Sequence, residues 1–181
     1  IEMSPSDLEY AVAYQIGALQ AIAMTAGEKV THLKPHGALN NFAAVNEEAA
    51  LAIGRAIKTV DSSIIYVVLS GSEMERAAQS LNLTVAREGF PDRMYDEFGN
   101  LASRSISGAV ITDPIQAAEH ALRMVLDNEI ISLGGHTIKR KIDSLCIHGD
   151  EASSFIVAKE VRAKLETAGV NILSLPELLL N

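Results

Sequence analysis

Short aliphatic runs alternate with amphipathic helical stretches along this sequence, and that alternation predicts an α/β protein with a parallel sheet and helices outside it. Two observations narrow the class. The run Ile64-Ile65-Tyr66-Val67-Val68-Leu69 is apolar on both faces, as strands of a parallel sheet are. The first strand-to-helix junction carries no Gly-rich dinucleotide turn, so five strands in alternation fit part of a (β/α) barrel better than a Rossmann sheet.

Each element has a local reason. Ser4-Pro5-Ser6-Asp7 combines a capping hydroxyl, a proline at the first helical position and an early acid, which predicts a helix start. Leu8, Val12, Ile16, Leu19 and Ile22 continue it at helical spacing until Ala26-Gly27. Val30 to His36 reads as the first strand, its end marked by Pro35. Asn46-Glu47-Glu48 opens a helix to about Val60, and Ile64–Leu69 is the second strand. Ser72 and Glu75 form a capping box for a helix to about Leu81, followed by the strand Leu83–Ala86. After an irregular stretch from Glu88 to Ser107, Ala109–Thr112 reads as a strand, and Asp113-Pro114 starts a helix ending near Asn128. Residues 131–133 and 136–138 flank Gly134-Gly135 as a two-residue hairpin, Leu145–His148 is the last strand, and Asp150 caps a helix to about Ala168.

With 181 residues, 48% of them hydrophobic, the chain can bury one sizeable core, and residues 1–181 read as a single domain. A net charge of -8, with no basic run longer than Lys139-Arg140-Lys141, excludes the electrostatic footprint of a nucleic-acid binder. One cysteine, Cys146, builds neither a disulfide framework nor a cysteine-rich zinc site, and it reads as a small apolar strand residue in a reducing cytoplasm. No stretch approaches the roughly 18 continuous apolar residues of a spanning helix, so no membrane role is expected. The opening Ile1-Glu2-Met3 leads almost at once into a helix and suggests that a segment precedes it.

In a parallel α/β protein the functional loops follow the carboxyl ends of the strands. His32, Lys34 and His36 alternate along one strand and so share a face, with His36 nearest its carboxyl end. His148 closes the last strand in the same way. Two such histidines with an acid could hold a divalent metal, orient a water or act as a general base. Spacing alone equally allows each ring merely to tie down its turn. His120 and His136 read as solvated or locally bonded rings. The segment Glu88–Gly99 is too long for a simple connection, and Asp92, Arg93 and Tyr95 within it could bind a small anionic substrate. The plain alternative is a self-packed loop held by an Asp–Arg pair. No phosphate-binding G-x-x-x-x-G-K-[ST] occurs, so nothing in these residues places a nucleotide.

Four segments in order carry a specific resemblance: Lys34-Pro35-His36-Gly37-Ala38-Leu39-Asn40-Asn41, Phe90–Arg104, Gly108-Ala109-Val110-Ile111 and Cys146-Ile147-His148-Gly149-Asp150. Together they resemble the LamB/YcsF family over nearly the whole chain. Asn40 departs from the family pattern, which commonly has tyrosine there. The resemblance implies a (β/α) barrel of the glycoside hydrolase/deacetylase type, of which this chain would be the C-terminal two-thirds or more. It also implies the A-type component of a three-component 5-oxoprolinase, which cleaves 5-oxo-L-proline to L-glutamate while hydrolysing ATP, with B- and C-type subunits as partners. A homo-oligomer is compatible with it.

On this reading Lys34, His36 and His148 are catalytic. Lys34 or Arg93 binds the substrate carboxylate, with Asp92 and Tyr95 beside it. His36 and His148 position a metal or a water. The acidic and histidine motifs with which family members begin are absent from the sequence, so the chain alone is expected to be inactive. Two other readings are a stand-alone metal-dependent amide hydrolase or deacetylase and a non-catalytic scaffold subunit.

Overall fold

The computed structural model describes residues 3–150 and 152–179. They fall into two compact units, Ile1–Ala86 with Leu175–Asn181, and Arg87–Ser174.

The first unit opens with α1, Pro5–Thr25, whose start follows from its sequence: the Ser4 hydroxyl accepts the Asp7 N–H at 3.1 Å and Pro5 takes the first turn. The helix ends at Gly27, in the left-handed region at φ +75°. Leu8, Val12 and Ile16 are buried, and α1 packs on α3, Glu47–Asp61, which Asn46 caps by accepting the Ala49 N–H at 2.9 Å. The buried stripe of α1 stops earlier than its spacing predicts: Leu19 lies at the edge of a cleft and Ile22 is exposed.

The strand expected over Val30–His36 pairs only as β1, His32–Leu33, lying parallel to β2, Ile65–Leu69, with His32 opposite Ile65. All five residues of β2 are buried, as its apolar composition requires. Between them the chain forms α2, Gly37–Val45, a helix that the hydrophobic pattern does not announce because its buried residues are Asn40, Ala43 and Ala44. α4, Glu73–Ser80, follows β2. Its expected capping box is altered: Ser72 makes no side-chain cap, and Glu75 accepts the Gly71 N–H at 2.7 Å. At the far end of the chain α7, Leu175–Leu179, seats Leu175 and Leu179 against Ile65, Val67 and Ala86.

β3, Val85–Gly89, begins in the first unit and ends in the second, and the parallel strands hydrogen-bond in the order β1-β2-β3-β6. Its last residues pair with β6, Ser144–Leu145, with Glu88 opposite Ser144 and Gly89 opposite Leu145. This is the predicted α/β class, with four strands in the sheet among the described residues and not five.

The fourth expected strand, Ala109–Thr112, does not join that sheet. Its backbone bonds go back to the preceding loop: the Met94 N–H donates to the Ala109 carbonyl at 2.9 Å and the Ile111 N–H to that of Asp92 at 2.8 Å. α5, Pro114–Leu126, is capped by Asp113 as predicted, and α6, Ser154–Thr167, packs on it around Ala117, Ala121, Val157 and Leu165. The hairpin forms as β4, Glu129–Ile131, antiparallel to β5, Thr137–Lys139, but the loop between them runs over 132–136 and not over two glycines alone. Ser153, and not Asp150, stands at the start of α6.

Candidate functional site

The expected site residues lie in both units. In the first, Lys34 and His36 line a cleft of about 340 Å3 together with His32, over a floor that includes Val12, Ile16 and Ile53. Pro35 is buried and fixes the turn, while His36 is exposed in extended backbone at φ -121°, ψ 148°. His36 stands at the N-cap position of α2 without a side-chain capping bond, so its ring does not tie down the turn by capping the helix. The His32 ring is held to one side, Nδ1 lying 2.9 Å from the Thr31 hydroxyl. Apolar walls and a polar rim of two imidazoles and an ammonium suit a small anionic organic ligand.

In the second unit the long segment after β3 and the turn after β6 build a different kind of site. The Asp92 carboxylate takes two bonds from His148 through one oxygen: Oδ2 is 2.8 Å from the backbone N–H and 2.9 Å from ring Nδ1. A carboxylate oxygen only accepts, so Nδ1 carries the proton and the lone pair of Nε2 is left for chemistry. Phe90 stacks on the imidazole, centroids 5.6 Å apart and planes inclined by 24°. The ring is thus held on an edge and on a face. The histidine side chain is still 24% exposed, against 9% for that of Asp92. The other Asp92 oxygen, Oδ1, is buried without a hydrogen-bond partner in the protein.

Arg93 and Tyr95 support this pair from inside. The Tyr95 hydroxyl accepts the Phe90 N–H at 2.7 Å, and the ring is 1% exposed. Burial foremost, with the negative charges of Asp92 and Glu88 adding to it, keeps this phenol protonated far above its ordinary range. Arg93 is 5% exposed, and its Nη2 donates to the Ala102 carbonyl at 2.5 Å. Burial is the main cause that lowers its pKa, with Arg104 next, although arginine stays charged throughout the usual range. Both side chains therefore point into the segment that folds back on itself, whereas the sequence suggests that they reach a ligand directly. Asp150 pairs at the surface with Arg104 at 2.6 Å, and that bond is the chief reason its carboxyl sits below the usual range.

Two residues of this site carry no role that the sequence announces. Phe90 stacks on His148 only because the chain folds back, which no periodicity reports. Glu88 is 5% exposed in β3, whereas the sequence reading ends that strand at Ala86 and puts Glu88 at the head of the irregular stretch. Among the described residues no three of His, Cys, Asp and Glu form a group able to hold a metal ion.

A family model described as LamB/YcsF family matches residues 1–179 of the chain. Proteins named as the A component of 5-oxoprolinase are similar over most of it. The one from Rhodopseudomonas palustris (strain ATCC BAA-98 / CGA009) is 46% identical over 170 residues, 94% of this chain and 67% of that protein. The one from Heliobacterium modesticaldum is 46% identical over 172 residues, 95% of this chain and 68% of that protein. The crystal structure of the lactam utilization protein from Thermus thermophilus superposes with a TM-score of 0.86 at 43% identity, covering 95% of this chain and 68% of that one. The chain thus spans about two thirds of the length of these relatives.

Proposed function

This chain belongs to the LamB/YcsF family, and on that premise we propose that it serves as the A-type component of a 5-oxoprolinase, a cytoplasmic enzyme that opens 5-oxo-L-proline to L-glutamate with hydrolysis of ATP. B- and C-type companion subunits complete the enzyme, and the four-stranded parallel sheet is part of a (β/α) barrel of the glycoside hydrolase/deacetylase type. The names of the relatives and of the Thermus protein support the substrate class.

The observation that carries the chemistry is the Asp92–His148 pair. A five-membered lactam is a resonance-stabilised amide, and its opening needs an activated water and a polarised carbonyl. Nε2 of His148 takes a proton from that water as its oxygen bonds to the lactam carbonyl carbon. The C–N bond then breaks as the ring nitrogen takes the proton held on Nε2, and the nitrogen leaves as the amine of glutamate. Asp92 stabilises the imidazolium that forms and holds the ring in its tautomer. ATP, when bound, would activate the lactam by phosphorylating the amide oxygen, so that C–N cleavage leaves an acyl phosphate that a second water hydrolyses to glutamate and inorganic phosphate. Lys34 and His36, at the cleft of the first unit, give it a polar rim that suits a carboxylate ligand. A divalent metal would have His36 or His148 as a ligand, but the described residues do not make up its donor set, and no step is routed through one.

The test is turnover of 5-oxoproline by the full assembly of subunits carrying His148→Ala. Loss of a general base lowers kcat by about 10²- to 10⁴-fold. Unchanged turnover would remove His148 from the mechanism. Ring opening by the A-type component without nucleotide or companions would instead establish a stand-alone hydrolase.

A further inference from the structure

The two glycines between β4 and β5 serve different ends. Gly135 lies at φ +82°, where the turn favours a residue without a Cβ. Gly134 is not in that left-handed region; a Cβ there would come within 2.5 Å of Glu97 Oε1, so this glycine makes room for a carboxylate from 37 residues away. Glu97 Oε1 accepts the hydroxyl of the buried Ser132 at 2.8 Å and the Gly134 N–H at 3.2 Å, and His136 Nε2 stands 3.6 Å from Oε2. Between those two donors the Leu133 N–H donates to the Tyr95 carbonyl at 2.8 Å. The hairpin loop thus grips residues 95 and 97 of the segment after β3. Contacts continue from that grip to the imidazole: the buried Tyr95 hydroxyl accepts the Phe90 N–H at 2.7 Å, and the Phe90 ring stacks on that of His148 with centroids 5.6 Å apart.

Resting on the reading of His148 as the general base, we propose that Glu97 is a positioning residue for it: a latch by which the β4–β5 hairpin fixes Tyr95 and, through Tyr95 and Phe90, the plane of the imidazole. Asp92 holds the ring by Nδ1 alone, and a single hydrogen bond leaves the ring free to tilt about its own axis. Tilt swings the Nε2 lone pair away from the water it must meet. Phe90 opposes that motion only as firmly as the backbone beneath it is held, and the latch supplies the hold. A carboxylate suits the task, because one oxygen has lone pairs for both donors and its charge strengthens both bonds. Glu97 touches no substrate, so its loss falls on kcat and not on KM.

The experiment measures kcat and KM for 5-oxoproline in the full assembly of subunits, and the nitrogen NMR signals of the His148 ring in the A-type chain, for wild type, Glu97→Ala, Glu97→Gln and Gly134→Ala. The methyl group of Gly134→Ala displaces the carboxylate without straining the turn. Both alanine variants lower kcat by about tenfold, keep KM within about twofold and shift the His148 signals. Glu97→Gln, whose amide oxygen still accepts both bonds, recovers most of the loss. Unmoved signals or an unchanged kcat in both alanine variants overturns the inference, as does a rise in KM in place of the fall in kcat. Normal turnover in His148→Ala defeats the functional reading instead; the ring signals, which need no turnover, then still report on the latch.

Discussion

The two histidine-bearing turns of this molecule are built in opposite ways. At Lys34-Pro35-His36 the ring is exposed, leaves its helix uncapped and borders an open cleft. At His148 the ring is gripped by Asp92, faced by Phe90 and backed by the buried Tyr95 and Arg93. A loosely held polar rim serves capture of a ligand, since it costs little to rearrange. A base that must meet one atom at one angle needs its rotamer fixed before the substrate arrives. On the proposed reading, the contrast suits the first turn to capture of a ligand and the second to proton transfer.

The largest expected difference between the turns is in stability. Asp92→Ala removes the acceptor of two bonds and strands the half-buried His148 N–H, and should cost about 1–3 kcal/mol in chemical denaturation. His36→Ala should stay within about 0.5 kcal/mol, as a surface substitution does. Equal losses would break the comparison. Next is Tyr95→Phe, which deletes the acceptor of the Phe90 N–H and should cost about 1–2 kcal/mol while lowering kcat through the stacked His148. A variant with normal kcat would show that the stacking does not orient the imidazole.

The smallest effect concerns pH. Burial, with Arg123 adding to it, holds the His120 pKa below its ordinary 6.5. The unfolded chain then binds a proton that the folded chain refuses, so this part of the stability is intact above pH 6.5 and is lost as pH falls from there toward the folded value. His120→Gln should flatten the melting temperature over that window and leave both turns untouched.

Much of this is legible in the sequence. The caps at Ser4, Asn46 and Asp113 and the doubly buried strand Ile65–Leu69 follow from local chemistry and period. So does the placing of His36 and His148 after strands β1 and β6. The failures have physical causes. α2 is lined by alanines and one asparagine, which give no periodic signal. Ala109–Thr112 is apolar enough for a strand, but its backbone groups find partners in the loop before it, a choice made by long-range closure. Asp92 and Arg93 read either as ligand-binding residues or as an ion pair within a self-packed loop; the segment does fold on itself, but the arginine turns to Ala102 and the aspartate to His148.

By itself the sequence determined the α/β class, the starts of most helices, the lack of a basic surface and the residues from which a site could be made. These depend on interactions within a few residues or on composition. Tertiary structure decided which histidine meets a carboxylate. The bond from Asp92 to His148 joins residues 56 apart, and no local preference encodes a contact whose geometry exists only after β3 and β6 have paired.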